Sequence, residues 1–238
     1  MAKKLKNNGF SLTEVLMAVG ILSIGMMLVA TMFPAALYLT TVASERTMAA
    51  IVADEAFAKI QLFGLKSYPA DVNDYNDVTL MNAIEFSYPP VDPCTNTRQY
   101  YWSALFKPIS TDPNDGYLVT VFVARKTSPN HKYYGGGDSG KRPKAVLVDV
   151  IVRTDPNDEL QISDGNEMRV NPPTTVLDDA TGKIYRVIER KIDEPNVVQL
   201  DRAWENAPSS PDRIWLVPPP QSGGKNADIE VFQRIMRF

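Results

Sequence analysis

Cysteine and histidine are nearly absent: Cys94 and His131 are the only residues of either type among 238. One cysteine cannot close an intramolecular disulfide, and one histidine cannot join a second in a zinc site or a Cys/His cluster. Nucleophile and phosphate motifs are missing as well. There is no G-x-S-x-G, and GGGDSGK (Gly135 to Lys141) lacks the P-loop spacing because Arg142 follows Lys141. With no acid–base constellation to set against these absences, no enzyme is expected, nor any cofactor. The formal net charge is only -3, so nothing draws the chain to nucleic acid, and no nucleic-acid partner is expected. Charge itself is scarce in one place. Between Lys6 and Glu45 the single charged side chain is Glu14.

That gap is filled by apolar residues. As an α-helix, the uncharged run from Val15 to Ser44 would reach about 45 Å, more than the ~30 Å hydrocarbon core of a bilayer requires. The flank MAKKLKNNG carries Lys3, Lys4 and Lys6, and lysine on that side places the N-terminus in the cytoplasm and the rest of the chain across the membrane. A secretory signal has a shorter apolar region closed by a small-residue cleavage site. A plain signal anchor explains the lysines and the run, but not Glu14, since an ionisable residue in a membrane helix is costly and marks function by default.

The stretch KNNGFSLTEVLMAVGIL (Lys6 to Leu22) resembles the N-terminus of type IV prepilins and type II secretion pseudopilins: a basic leader, a glycine, a phenylalanine and a glutamate five positions after that glycine. The motif covers roughly Lys3 to Tyr38, and a general helical likeness continues to about Leu62. The resemblance implies cleavage between Gly9 and Phe10 by a prepilin peptidase, N-methylation of Phe10, and a filament role in which Glu14 neutralises the terminal amine of a neighbouring subunit. It implies as partners that peptidase, other pilin or pseudopilin subunits, an inner-membrane assembly platform and membrane lipid. The expected location is the inner membrane with a cytoplasmic N-terminus, and then a periplasmic pseudopilus or a cell-surface pilus.

The local chemistry agrees. Gly9 has no Cβ, so the backbone can approach a protease closely. Glu14 stands near the positive end of the helix dipole, which stabilises a carboxylate. A buried carboxylate and ammonium need each other, because an unpaired buried charge is far more costly than a paired one. Gly20 and Gly25 are either plain membrane glycines or small faces for helix packing. Pro34 cannot donate to the carbonyl of Ala30 and is expected to kink the helix, bounding with Gly25 a stretch of weak helical stability. The family's helix-breaking proline commonly comes slightly earlier.

Beyond Ser44 an amphipathic pattern continues the rod. Met48, Val52, Ala56, Ile60 and Phe63 recur every three or four residues, predicting a helix that ends near Gly64, before Tyr68-Pro69. The expected organisation is a leader at 1–9, a transmembrane and assembly helix at 10–42, its amphipathic continuation at 43–66 and a β-rich head at 67–238. Strands are expected at Tyr100 to Phe106, Tyr117 to Arg125, Ala145 to Arg153, Lys183 to Ile192, Val197 to Asp201 and Arg213 to Val217, with a turn at 179–182. The tail DIEVFQRIMRF reads as strand or short helix, and SPNHKYYGGGDSGKRP as an exposed glycine-rich loop. The fold class is therefore α+β: a long N-terminal helix packed on a mostly antiparallel β-rich head.

The string TDPND occurs at Thr111 to Asp115 and at Thr154 to Asp158. Asp112 and Asp115 offer oxygens to a hard cation, but no full calcium loop surrounds them, and Asp-Pro-Asn-Asp is also a good turn. Asp178-Asp179 is read in the same way, and His131 as a solvated loop residue. Cys94 is either a small buried hydrophobe or an exposed thiol. Many type IV pilins carry a disulfide near the C-terminus, which this chain cannot form, and the head is large. These features favour a minor subunit. The alternative is a single-span membrane-anchored binding module that does not assemble. Type II secretion, type IV pilus and DNA-uptake systems share the motif.

Overall fold

A computed structural model describes residues 11–65, 74–79, 83–89, 99–112, 115–135, 140–205 and 212–238. Gly9, Phe10, Cys94 and the Tyr68-Pro69 stop signal lie outside these residues. The chain divides into two compact units, Met1–Glu45 and Arg46–Phe238.

One helix, α1 (Leu12–Phe63), runs through both. It is long and apolar enough to cross a membrane by length and composition. From residue 11 to residue 41 every side chain is exposed. Pro34 sits inside α1 without ending it; the expected weak stretch stays helical. Hydroxyls here turn back on the backbone, Thr31 Oγ1 to the Leu28 carbonyl (2.9 Å) and Thr40 Oγ1 to that of Ala36 (2.8 Å), so neither presents an unmet donor to an apolar surrounding. Gly64 ends the helix in left-handed geometry (φ 72°), its N–H bonding the Ile60 carbonyl at 2.9 Å.

The second half of α1 buries Ala49, Val52, Ala53, Ala56, Phe57 and Ile60. This stripe differs from the predicted one: Phe63 is exposed and Met48 only half-buried. The reason is spacing. Three alanines on the contact face let a sheet approach closely, and Phe57 fills the remaining volume.

That sheet runs in the order β1 (Asn76–Asp77), β3 (Tyr100–Pro108), β4 (Tyr117–Arg125), β11 (Asp228–Met236), with β2 (Ser87–Tyr88) also on β3; all pairs are antiparallel. Val119, Val121 and Val123 of β4 face the helix, while Phe122 and Ala124 pack with Leu177 and Val217 on the other side. Burial on both faces explains why β4, YLVTVFVAR, reads as a near-continuous apolar run.

Between β4 and β11 the chain builds a second sheet. Strands β5 (Val146–Val152), β6 (Glu159–Ile162), β7 (Thr174–Asp178), β8 (Ile184–Arg190), β9 (Val197–Leu200) and β10 (Asp212–Leu216) close into a six-stranded barrel in the order β10-β5-β6-β9-β8-β7. β5 alternates strictly, with Val146, Val148, Val150 and Val152 inside. Tyr185 and Trp204 stack at 4.6 Å within the same core. The head is thus α+β and antiparallel, with a barrel that strand patterns alone did not suggest.

Candidate functional site

The apolar helix begins with a built cap. Ser11 Oγ accepts the Glu14 N–H at 3.3 Å, and the Ser11 carbonyl accepts the N–H groups of Glu14 (3.1 Å) and Val15 (3.2 Å). Ser11 Oγ also bonds Thr13 Oγ1 at 2.8 Å. Ser11 is therefore the N-cap and Glu14 the third helical residue, the S-x-x-E arrangement in which serine satisfies an orphan amide and the acid faces the positive helix end. Ser11-Leu12-Thr13-Glu14 is the sequence signal for this cap. The Glu14 side chain is exposed.

Gly20 and Gly25 have open space where a Cβ would stand. Around Gly25 a shallow apolar groove is bounded by Ile21, Leu22, Val29 and Phe33. A missing side chain beside larger neighbours allows another helix to approach closely. Together these features make a capped, carboxylate-bearing helix whose apolar surface is uncovered on every side.

The other candidates are accounted for within the head. Asp112 and Asp115 form a serine-bound turn: Ser110 Oγ accepts the Asp112 N–H at 3.0 Å and donates to the Asp115 carboxylate, while Asp115 N–H bonds the Asp112 carbonyl at 3.1 Å. Among the described residues no three His, Cys, Asp or Glu side chains gather to hold a metal ion. His131 Nδ1 bonds Thr127 Oγ1 at 2.8 Å and is half-buried rather than solvated. In the described part of the glycine-rich loop, Tyr133 is buried and bridges to Pro220.

Asp178 and Asp179 stand at the expected turn, and both are buried. Asp178 organises the β7–β8 turn, accepting the Ala180 N–H at 3.0 Å and the Thr181 hydroxyl. Asp179 accepts Trp215 Nε1 at 2.6 Å and pairs with Arg213 at 2.7 Å, and Arg213 reaches on to Asp74 at 2.9 Å. Gly182 completes the turn at φ 75°, where an added Cβ would strike the Tyr75 hydroxyl. Burial, with the charges of Asp179 and Asp178 beside it, pushes that hydroxyl up to about 12. Every charge here has a protein partner, which makes the cluster a fastening between strands.

Comparison with known proteins supports the N-terminus and nothing beyond it. Residues 4–30 match the family model for the prokaryotic N-terminal methylation motif. No curated protein and no solved structure matches the chain. The matched residues include Gly9, Phe10 and Glu14 and run through Gly25 to the middle of the uncovered helix. The chain carries the N-terminal signature of type IV pilins and pseudopilins on a helix of membrane-spanning length.

Proposed function

We propose that this protein is a structural subunit, and a minor one, of a type IV pilus or type II secretion pseudopilus. A prepilin peptidase cuts it between Gly9 and Phe10 and methylates Phe10; the chain then assembles through its N-terminal helix with other subunits. The observation that carries this reading is the coincidence of the methylation motif with an apolar helix exposed from residue 11 to residue 41. Such a surface requires lipid before assembly and neighbouring helices after it, since contiguous apolar area of that size is not left in water.

Glu14 supplies the pairing. Entering a filament, the amine of one subunit meets the carboxylate of the next, and both leave water together instead of singly. The role is structural, not catalytic. Minor status is supported by the barrel inserted between β4 and β11, a bulky addition for a head repeated in thousands of copies. The head lies across the inner membrane from the lysine-rich end.

The test is co-expression with a prepilin peptidase and a pilus or pseudopilus assembly system, followed by shearing and crosslinking. The tagged chain is expected in crosslinks to other subunits through residues of α1. A chain that is processed but crosslinks to no subunit would instead be the anchored binding module, and the structural reading would fail.

A further inference from the structure

One acid at the seam between the helix-bearing sheet and the barrel is poorly satisfied. Asp228 opens β11 at a register irregularity, opposite Ala124, whereas Glu230 falls opposite Val123. Its Oδ2 accepts the N–H of Thr175 on barrel strand β7 at 3.0 Å. Its Oδ1 is enclosed and has no hydrogen-bond partner, and the same holds for the hydroxyl of neighbouring Thr174. A carboxylate offers about four lone-pair sites.

The surrounding charges do not make up the deficit. On β11 itself Glu230 repels, while Arg186 of β8 attracts. From α1, Arg46 turns to Glu230 at 3.7 Å. Asp201, after β9, accepts the Arg186 N–H at 2.9 Å and adds a further negative charge. On the sheet side the flanking β4 residue is Arg125, whose N–H bonds the Ala227 carbonyl. Several of these residues line a cleft of about 220 Å³.

A hard cation takes several oxygens, and no trio of acids gathers here among the described residues. A lysine or arginine from outside would have to move the walls to touch Oδ1. A proton is the cation that fits without rearrangement.

We propose that Asp228 is a proton-operated latch between the sheet and the barrel: protonated, it closes the seam between β11 and β7, and ionised, it loosens it. The protonated carboxyl keeps an acceptor for Thr175 and removes a charge from a half-buried side chain whose Oδ1 is enclosed. Burial, first of all, pushes this carboxyl up to about 6; the Thr175 hydrogen bonds pull the other way and Glu230 adds to the rise. A pKa raised by folding gives stability that is present at acid pH and lost as pH climbs towards and through about 6. The latch is independent of the pilin reading.

The test uses the full chain in detergent micelles. Exchange protection of the Thr175 amide, corrected for intrinsic exchange, is expected to fall about tenfold between pH 5 and pH 7. In Asp228→Asn it should stay level over the same range. A wild type without pH dependence, or an Asn variant with the wild-type slope, would overturn the proposal. If the variant does not fold, the wild-type carboxyl carbon decides by NMR titration: a midpoint near 6 is expected, and one near the ordinary value of about 4 would overturn it.

Discussion

The two halves of α1 have similar apolar content and opposite surroundings. In the first half, Leu16, Leu22, Met27 and Phe33 are each more than half exposed; in the second, Val52, Ala56 and Ile60 are completely buried. The second half finds its partner in the same chain, because its apolar residues form a stripe with charges elsewhere and a sheet covers that stripe. The first half has no polar face at all, so one covering surface would leave the rest of it bare. An apolar helix of that kind is satisfied only by lipid or by several neighbours at once. Apolar content says that a helix will be buried; its distribution around the axis says whether its own chain can do it.

The largest effect that separates the halves is expected at Glu14. Glu14→Ala leaves the head untouched and removes a charge from a membrane helix, so insertion and processing should persist. Assembly should fall, because breaking a buried ion pair costs about 3 to 5 kcal/mol, roughly a hundredfold to several thousandfold in equilibrium. Incorporation in sheared filaments, or crosslinking to partner subunits, reads this directly. Normal incorporation would assign Glu14 to the helix cap alone.

Next comes a matched pair of truncations. Ile60→Ala should destabilise the head by about 2 to 5 kcal/mol, lowering its melting temperature by roughly 2 to 4 °C per kcal/mol for a unit of this size. Leu22→Ala should leave that transition where it is. Equal shifts in the two variants would break the distinction between an internally and an externally covered half.

A smaller loss is expected where the head fastens itself. Trp215→Phe keeps the ring but removes the donor to Asp179, leaving Arg213 to hold that acid. A hydrogen bond to a charged group contributes about 1.5 to 3 kcal/mol, so urea denaturation should show a shift of that order. The smallest effect belongs to the cap. Ser11→Ala should weaken the start of α1 by ~1 kcal/mol, visible as faster amide exchange at Glu14 and Val15, with the head's melting temperature unchanged.

How much of this was legible varies along the chain for physical reasons. The sequence pattern marks β4 to the residue, and β3, β5, β8, β9 and β10 to within a residue or two, because each is a clear β-branched or aromatic run between turns. β6, only Glu159–Ile162, and β7, Thr174–Asp178, went unread: they are short, and β7 follows a Pro-Pro pair that looks like loop. Barrel closure was hidden for another reason. Ile214 pairs with Val148 on one side and Asp178 on the other, contacts between distant stretches that no local period encodes. The burial of Asp179 was hidden for the same reason, since its partners Arg213 and Trp215 come three strands later. The N-terminal site was the reverse case. Its residues lie within a few positions of one another, so a short stretch is enough to carry the resemblance, and the methylation motif matches over residues 4–30. Pro34 lies inside the helix without ending it. Its missing N–H removes one helical hydrogen bond, yet the helix on both sides is long enough to continue through it.

The central proposal is that the first nine residues are a leader and that the mature chain begins at a modified Phe10. Mass spectrometry of the chain extracted from membranes of cells carrying a prepilin peptidase tests it most directly. The expected terminus is N-methylated Phe10 in the wild type, and the expected chain is uncut in Gly9→Asp, whose added side chain fills the space the protease needs. A wild-type chain that still begins at Met1 or Ala2 with the peptidase present would contradict it.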